Sequence, residues 1–197
     1  MTAIGFIRHG ITEWNVIGRA QGRTDIPLNE QGREQAMKIA ERLTDEDWNM
    51  LVSSNLKRAV ETASIISEKM NLPISFLDER IQEISCGKIE GTTEEDRLIK
   101  WGSSWRDLDL GMESTEEVAR RGSEFIDELV YLHKGKRILV VSHGAMIGIL
   151  LQTLLPEKFK TTYMDNTSLT ILQNIDGVWD CQLYNCTNHL KTSVLDY

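Results

Sequence analysis

Ile4-Gly5-Phe6-Ile7-Arg8-His9-Gly10 is the stretch on which the fold turns. A short apolar run of strand length stops abruptly at Arg-His-Gly, and glycine lets the backbone turn and approach a ligand closely. Arg8 and His9 would then stand at the carboxyl end of a strand, the side on which open α/β sheets bind ligands. A strand that merely ended in two polar residues would leave Arg8 in solvent and His9 on a carbonyl. A second stretch of the same form argues for a site: Arg137-Ile138-Leu139-Val140-Val141-Ser142-His143-Gly144 is another apolar, β-branched run ending in His-Gly. Ala145 to Leu151 follow as a buried helix. Two such endings would set two imidazoles side by side at one sheet edge.

The sequence has 197 residues, 41% of them hydrophobic, which fits one α/β domain spanning 1–197 with a core of its own. The formal net charge of -8 argues against nucleic-acid and anionic-membrane partners, which call for a basic face. It leaves room for a small basic pocket, because salt screens distant carboxylates beyond about 8–10 Å. Three cysteines, Cys86, Cys181 and Cys186, are odd in number and lack a CxxC spacing, so a reducing compartment is expected. Cys86 reads as a small buried thiol. Neither a leader before Ile4 nor an apolar run of the ~18 residues a membrane span needs is visible, and a soluble cytoplasmic protein is expected.

Residues 12–28 lack periodicity and read as a long loop carrying Asn15, Arg19, Gln21 and Arg23, all hydrogen-bond donors for anionic oxygen. Asn29 or Glu30 opens a helix with Ala36, Ile39, Ala40 and Leu43 at helical spacing, ending near Thr44. Met50 to Ser53 form a second strand. Ser54 or Asn55 caps a helix through Leu56, Ala59, Val60, Ala63 and Ile66. Arg58 lies in its first turn, where a cation opposes the helix dipole; that makes sense if arginine and helix start share an anion, the alternative being a solvated pair with Glu61. Ile74 to Leu77 are a third strand. Residues 92–113, with Trp101 and Trp105, read as a cover of short helix and loop. Ser114 starts a helix whose apolar face is Val118, Phe125, Ile126, Leu129 and Leu132. Two β-like runs around Asp176-Gly177 make a hairpin. This order predicts an α/β fold: a mostly parallel central sheet between layers of helices.

The residues collected are Arg8, His9, Asn15, Gln21, Arg58, Glu83 and His143. Two histidines and a carboxylate can bind a metal, but a dication beside Arg8 and Arg58 is repelled and the histidines lack HxH or HExxH spacing. They can act as acid and base on RNA, which would call for a basic surface. They can also run phosphoryl transfer. There the arginines bind the phosphoryl group, one imidazole attacks phosphorus and the second, protonated, donates to an equatorial oxygen. A carboxylic acid protonates the leaving alkoxide. This chemistry uses every candidate and requires no metal or other cofactor.

Phe6 to Asn15 closely resemble the signature of the histidine phosphatase superfamily in its phosphoglycerate mutase-like branch, which includes broad-specificity and alpha-ribazole phosphatases. The likeness continues through Arg19, Gln21-Gly22, Asp25, Pro27-Leu28 and Gly32. It resumes at residues 53–63, at Glu83, Gly87 and Glu90-Gly91, and at Val141-Ser142-His143-Gly144. The resemblance implies a three-layer α/β/α sandwich of the phosphoglycerate mutase type. It implies that His9 is the phosphorylated nucleophile, that Arg8, Arg58 and His143 bind the phosphoryl group, and that Glu83 is the proton donor. Asn15, Gln21 and Gly144 match substrate-contacting positions. Glu83 is preferred to Asp78, Glu79 and Glu90 on this match, since spacing does not choose.

Ile11 stands where the family usually has Glu or Gln, and Lys88-Ile89 where an aromatic commonly precedes Glu-Gly. Between Gly91 and Gly111 the only cations are Arg97, Lys100 and Arg106, whereas the family's mutases usually carry a longer, more basic segment. The expectation is therefore a metal-independent hydrolase acting on a small phosphorylated metabolite through phosphohistidine. The alternatives are a mutase and a phospho-ligand binding module.

Overall fold

A computed structural model describes residues 1–191; the end of the expected 1–197 domain lies outside the described residues. The strands are β1 (Thr2–Arg8), β2 (Met50–Ser54), β3 (Ile74–Asp78), β4 (Arg137–Ser142), β5 (Leu169–Ile175) and β6 (Val178–Cys186). The helices are α1 (Glu13–Val16), α2 (Glu30–Leu43), α3 (Lys57–Met70), α4 (Glu94–Trp101), α5 (Thr115–Leu132) and α6 (Gly144–Leu154). The sheet order is β3-β2-β4-β1-β5-β6. The first four strands run parallel, β5 is antiparallel to β1, and β6 returns beside it as the hairpin's second arm.

Alternation along the strands separates two cores. Ile4, Phe6, Val52, Ile138 and Val140 face α5 and α6, while Ile7, Leu51, Leu139 and Val141 face α2 and α3. This is the expected three-layer arrangement. Parallel register brings the carboxyl ends of β1, β4 and β2 level: Arg8 pairs with Ser142, and Ser53 with Val141. The residues just past those ends therefore meet at one edge.

Two local expectations change. Residues 12–28 do not run as loop throughout, because Thr12 and Asn15 form a reciprocal capping box that winds the single turn α1. The helix after β2 is not capped by Ser54 or Asn55. Its N-cap is Leu56, which has no side chain to offer, and the carboxylate of Asp25 accepts from the Lys57 amide at 2.6 Å instead. The Ser54 hydroxyl is occupied elsewhere, as described below.

Candidate active site

β1 delivers His9 and β4 delivers His143, and their ring centroids lie 5.2 Å apart. Both rings are buried. The His9 Nδ1–H donates to the Gly10 carbonyl at 2.7 Å, which leaves Nε2 unprotonated, an acceptor. Onto that atom points Arg58 Nε, at 3.2 Å. Arg58 is completely buried; its two Nη groups donate to the carbonyls of Gly22 and Thr24 at 2.7 and 2.9 Å. The solvated pairing with Glu61 does not form, and Glu61 lies 3.9 Å from Arg33.

His143 is held from the opposite side of its ring. Its Nε2 lies 2.8 Å from the Ser54 hydroxyl, and its buried Nδ1 has no partner among the described residues. Burial, with the nearby arginine charges, keeps both imidazoles well below the ordinary histidine range. The rings are therefore neutral at neutral pH. For His143 this changes the expected picture of a protonated second imidazole. The Ser54 Oγ accepts from the Leu56 amide at 3.4 Å, so its own hydrogen is available to Nε2; a ring that accepts it carries its proton on Nδ1 and remains a donor.

Arg8 gives one Nη to the Met164 carbonyl, and its buried Nε has no partner among the described residues. A Cβ at Gly144 would come within 3.3 Å of that Nε, so glycine here leaves room for the arginine. Glu83 lies at the N-terminus of α6. Its Oε1 accepts from the amides of Ile84 and Met146 at 3.1 Å, and Oε2 from that of Ala145 at 3.4 Å. Arg8, Glu83 and Gly144 share one cavity of about 390 Å³, walled by Ala145, Ile149, Thr162, Tyr163 and Met164. Asn15 and Gln21 both use their carbonyl oxygens on Thr12, at 3.1 and 2.9 Å, which leaves their amide nitrogens as donors.

Several contributors escaped sequence reasoning. Asn166 donates to the His9 carbonyl at 3.0 Å, and Thr62 accepts from the Gly10 amide at 3.1 Å. The 162–166 segment carries no periodicity to mark it. Trp105 does not line the cavity; it is buried against Ile89 and Leu110, so this part of 92–113 packs on its own small core. Burial and the charges of Glu83 and Glu90 push the Cys86 thiol up to about 11, which keeps it protonated and inert.

The profile of the histidine phosphatase superfamily (branch 1) matches residues 4–187. The chain belongs to this superfamily. It is 35% identical to the uncharacterized phosphatase PhoE of Bacillus subtilis (strain 168), over 97% of this chain and 98% of that one. It is 31% identical to a metal-independent phosphoserine phosphatase of Arabidopsis thaliana, over 98% and 84%. Among solved structures, Bacillus stearothermophilus YhfR superposes with a TM-score of 0.86 at 30% identity, over 97% of this chain and 100% of that one. The expected superfamily, fold and phosphomonoesterase class all agree with these findings. Among the described residues no helix is long and apolar enough to cross a membrane, and no group of three or more His, Cys, Asp or Glu is placed to hold a metal ion.

Proposed function

We propose that the single domain hydrolyses a small phosphorylated metabolite through a phosphohistidine on His9. The observation that carries this reading is the tautomer lock: Nδ1–H on the Gly10 carbonyl, with an unprotonated Nε2 that accepts from the buried Arg58. Nε2 attacks phosphorus, and the bond to the ester oxygen breaks. The Gly10 carbonyl then steadies the charge that develops on the ring. Arg8, Arg58 and the Nδ1–H of His143 meet the phosphoryl oxygens, on which negative charge spreads. Glu83 gives a proton to the departing alkoxide; as carboxylate it takes one from the water that cleaves the P–N bond. The alcohol, then phosphate, leave, and His9 returns to its neutral form.

The same geometry favours water over a sugar-acid hydroxyl as acceptor. A mutase must hold a second anionic group while the first phosphoryl is moved. Arg8 is the one cation among the residues lining the cavity beside Glu83. Arg97 and Arg106 pair with Glu94 at 3.2 and 2.9 Å and stack on Trp105, and Lys100 lies over Trp101. The cations of the 92–113 segment are thus spent on their own aromatic cluster. The free thiols Cys86, Cys181 and Cys186 fit a reducing, cytoplasmic setting.

The test is turnover in EDTA on a panel of phosphomonoesters that includes phosphoserine and 3-phosphoglycerate, following both phosphate and 2-phosphoglycerate. Phosphate release without the isomer is the expected outcome. Isomer with little phosphate overturns the hydrolase in favour of a mutase.

A further inference from the structure

Glu83 is aimed by a buried ion pair that sequence reading passes over. Arg121, on α5, is 8% exposed, and every N–H direction of its guanidinium is spoken for. Nε and Nη2 fork onto the Glu113 carboxylate at 2.8 and 3.1 Å. Nη1 donates to the carbonyls of Arg80 and Gln82 at 2.6 and 2.8 Å, and Nη2 also reaches the Glu83 carbonyl at 3.3 Å. Nη1 further touches the Met146 sulfur, at 3.4 Å; the amide of that same residue holds Glu83 Oε1. Glu113 completes the ring from the other side, its Oε2 accepting from the Ser85 amide at 3.1 Å and its own amide donating to the Ser85 carbonyl at 2.9 Å. The backbone on both flanks of Glu83, and the helix turn its carboxylate rests on, are thereby tied to one side chain.

We propose that Arg121, held by Glu113, is the positioning residue for the proton-donating carboxyl of Glu83. The proposal rests on the acid role given to Glu83 above. Neither residue lines the cavity, so Arg121 acts through backbone carbonyls and the start of α6. Burial alone would raise the Glu113 carboxyl, yet the Arg121 hydrogen bond, the Ser85 amide and the charges of Arg121 and Arg23 hold it below the usual carboxylate range, so the pair is ionic. A plain structural ion pair, once broken, would slow all substrates alike or simply lower the melting temperature. A misplaced general acid slows phosphoenzyme formation only from those esters whose leaving oxygen must be protonated, while its later task as base on water is common to all esters.

The experiment compares kcat/KM, which reports the steps up to departure of the alcohol, on an alkyl phosphate and on p-nitrophenyl phosphate, whose leaving group departs without a proton. The enzymes are wild type, Arg121→Lys, the double variant Arg121→Met/Glu113→Leu, and Glu83→Gln. The double variant removes both buried charges together, which keeps the fold where a single removal would strand one of them. The alkyl-to-aryl ratio is expected to fall roughly tenfold in the Arg121 variants and further in Glu83→Gln. Arg121→Lys placed on Glu83→Gln should leave the ratio where Glu83→Gln alone puts it. An unchanged ratio in the Arg121 variants, with a fallen ratio in Glu83→Gln, overturns the positioning role alone. An unchanged ratio in Glu83→Gln removes Glu83 from the acid role and the positioning role with it.

Discussion

β1 and β4 both lead into His-Gly, lie side by side in parallel register, and bury their rings with centroids 5.2 Å apart, yet the two rings are held by opposite nitrogens. His9 gives Nδ1–H to a carbonyl and keeps Nε2 unprotonated; His143 sets Nε2 against a hydroxyl and leaves Nδ1 without a partner among the described residues. A carbonyl can only accept, so it fixes a proton on the ring nitrogen that faces it. A hydroxyl can donate, so it lets the proton reside on the far nitrogen. One partner atom thus suits one imidazole to the nucleophilic role proposed for it and the other to the proposed role of donor. Two identical dipeptides receive different roles from neighbours that are remote in sequence or one peptide along.

The largest effect expected from this difference is on covalent labelling. His9→Ala should lose turnover by roughly 10³-fold or more and take up no label from an aryl phosphate, with its circular dichroism unchanged. His143→Ala should slow by roughly 10²-fold, as loss of a charge-stabilising donor does, and still form an acid-labile phosphoenzyme. Label on the His9 variant but not on the His143 variant would reverse the assignment.

A smaller effect concerns acid stability. His9, His143 and His189 are all held below the ordinary histidine range, His189 at about 4. Below about pH 6.5 the unfolded chain binds protons that the folded chain refuses, so stability falls on acidification. The slope is at most about 1.4 kcal/mol per pH unit for each ring. For His189 that loss accrues between about 6.5 and about 4. Thermal unfolding measured from pH 7 to 5 should show a declining midpoint, and ring resonances of His9 and His143 should not titrate near 6.5. A midpoint that rises toward pH 5, or a ring that does titrate there, breaks the neutral-pair description.

The smallest effect sharpens the comparison most. Ser54→Ala removes the hydroxyl that faces His143 Nε2, and one lost hydrogen bond of about 1 kcal/mol corresponds to roughly a fivefold drop in kcat/KM. The same change should leave phosphoenzyme formation on His9 intact. A loss as large as that of His143→Ala would mean that Ser54 does more than orient the ring.

The strands, the long helices and the hairpin were legible because each repeats a period, as in Ala36, Ile39, Ala40 and Leu43 on the buried stripe of α2. The two histidines and Arg58 were legible because each sits just beyond a strand whose end the apolar pattern marks. What could not be read are contacts made across the chain by irregular segments: Asn166 on the His9 carbonyl, the Thr162 to Met164 wall, and Arg121 behind Glu83. Arg121 stands three residues after Val118 and four before Phe125, on the buried stripe of its helix, whereas exposed Arg120 lies off it; that spacing marks burial but names none of the partners. The cap of α3 failed for a related reason, since Ser54 was the right residue type in the right place but its hydroxyl serves His143.

The closing of α3 by Asp25 ties the birth of that helix to a segment thirty-two residues upstream. Starting a helix is its slow and unfavourable step, and here the first turn also carries Arg58 against the dipole. That turn is complete only once residues 21–25 have docked, and those residues carry the carbonyls that receive Arg58. In stopped-flow refolding, α3 is therefore expected to gain its later turns before its first, with burial of Arg58 following most of the helical signal. By native-state hydrogen exchange, the amides of Lys57 and of this upstream segment are expected to open together, as one cooperative unit distinct from the rest of α3.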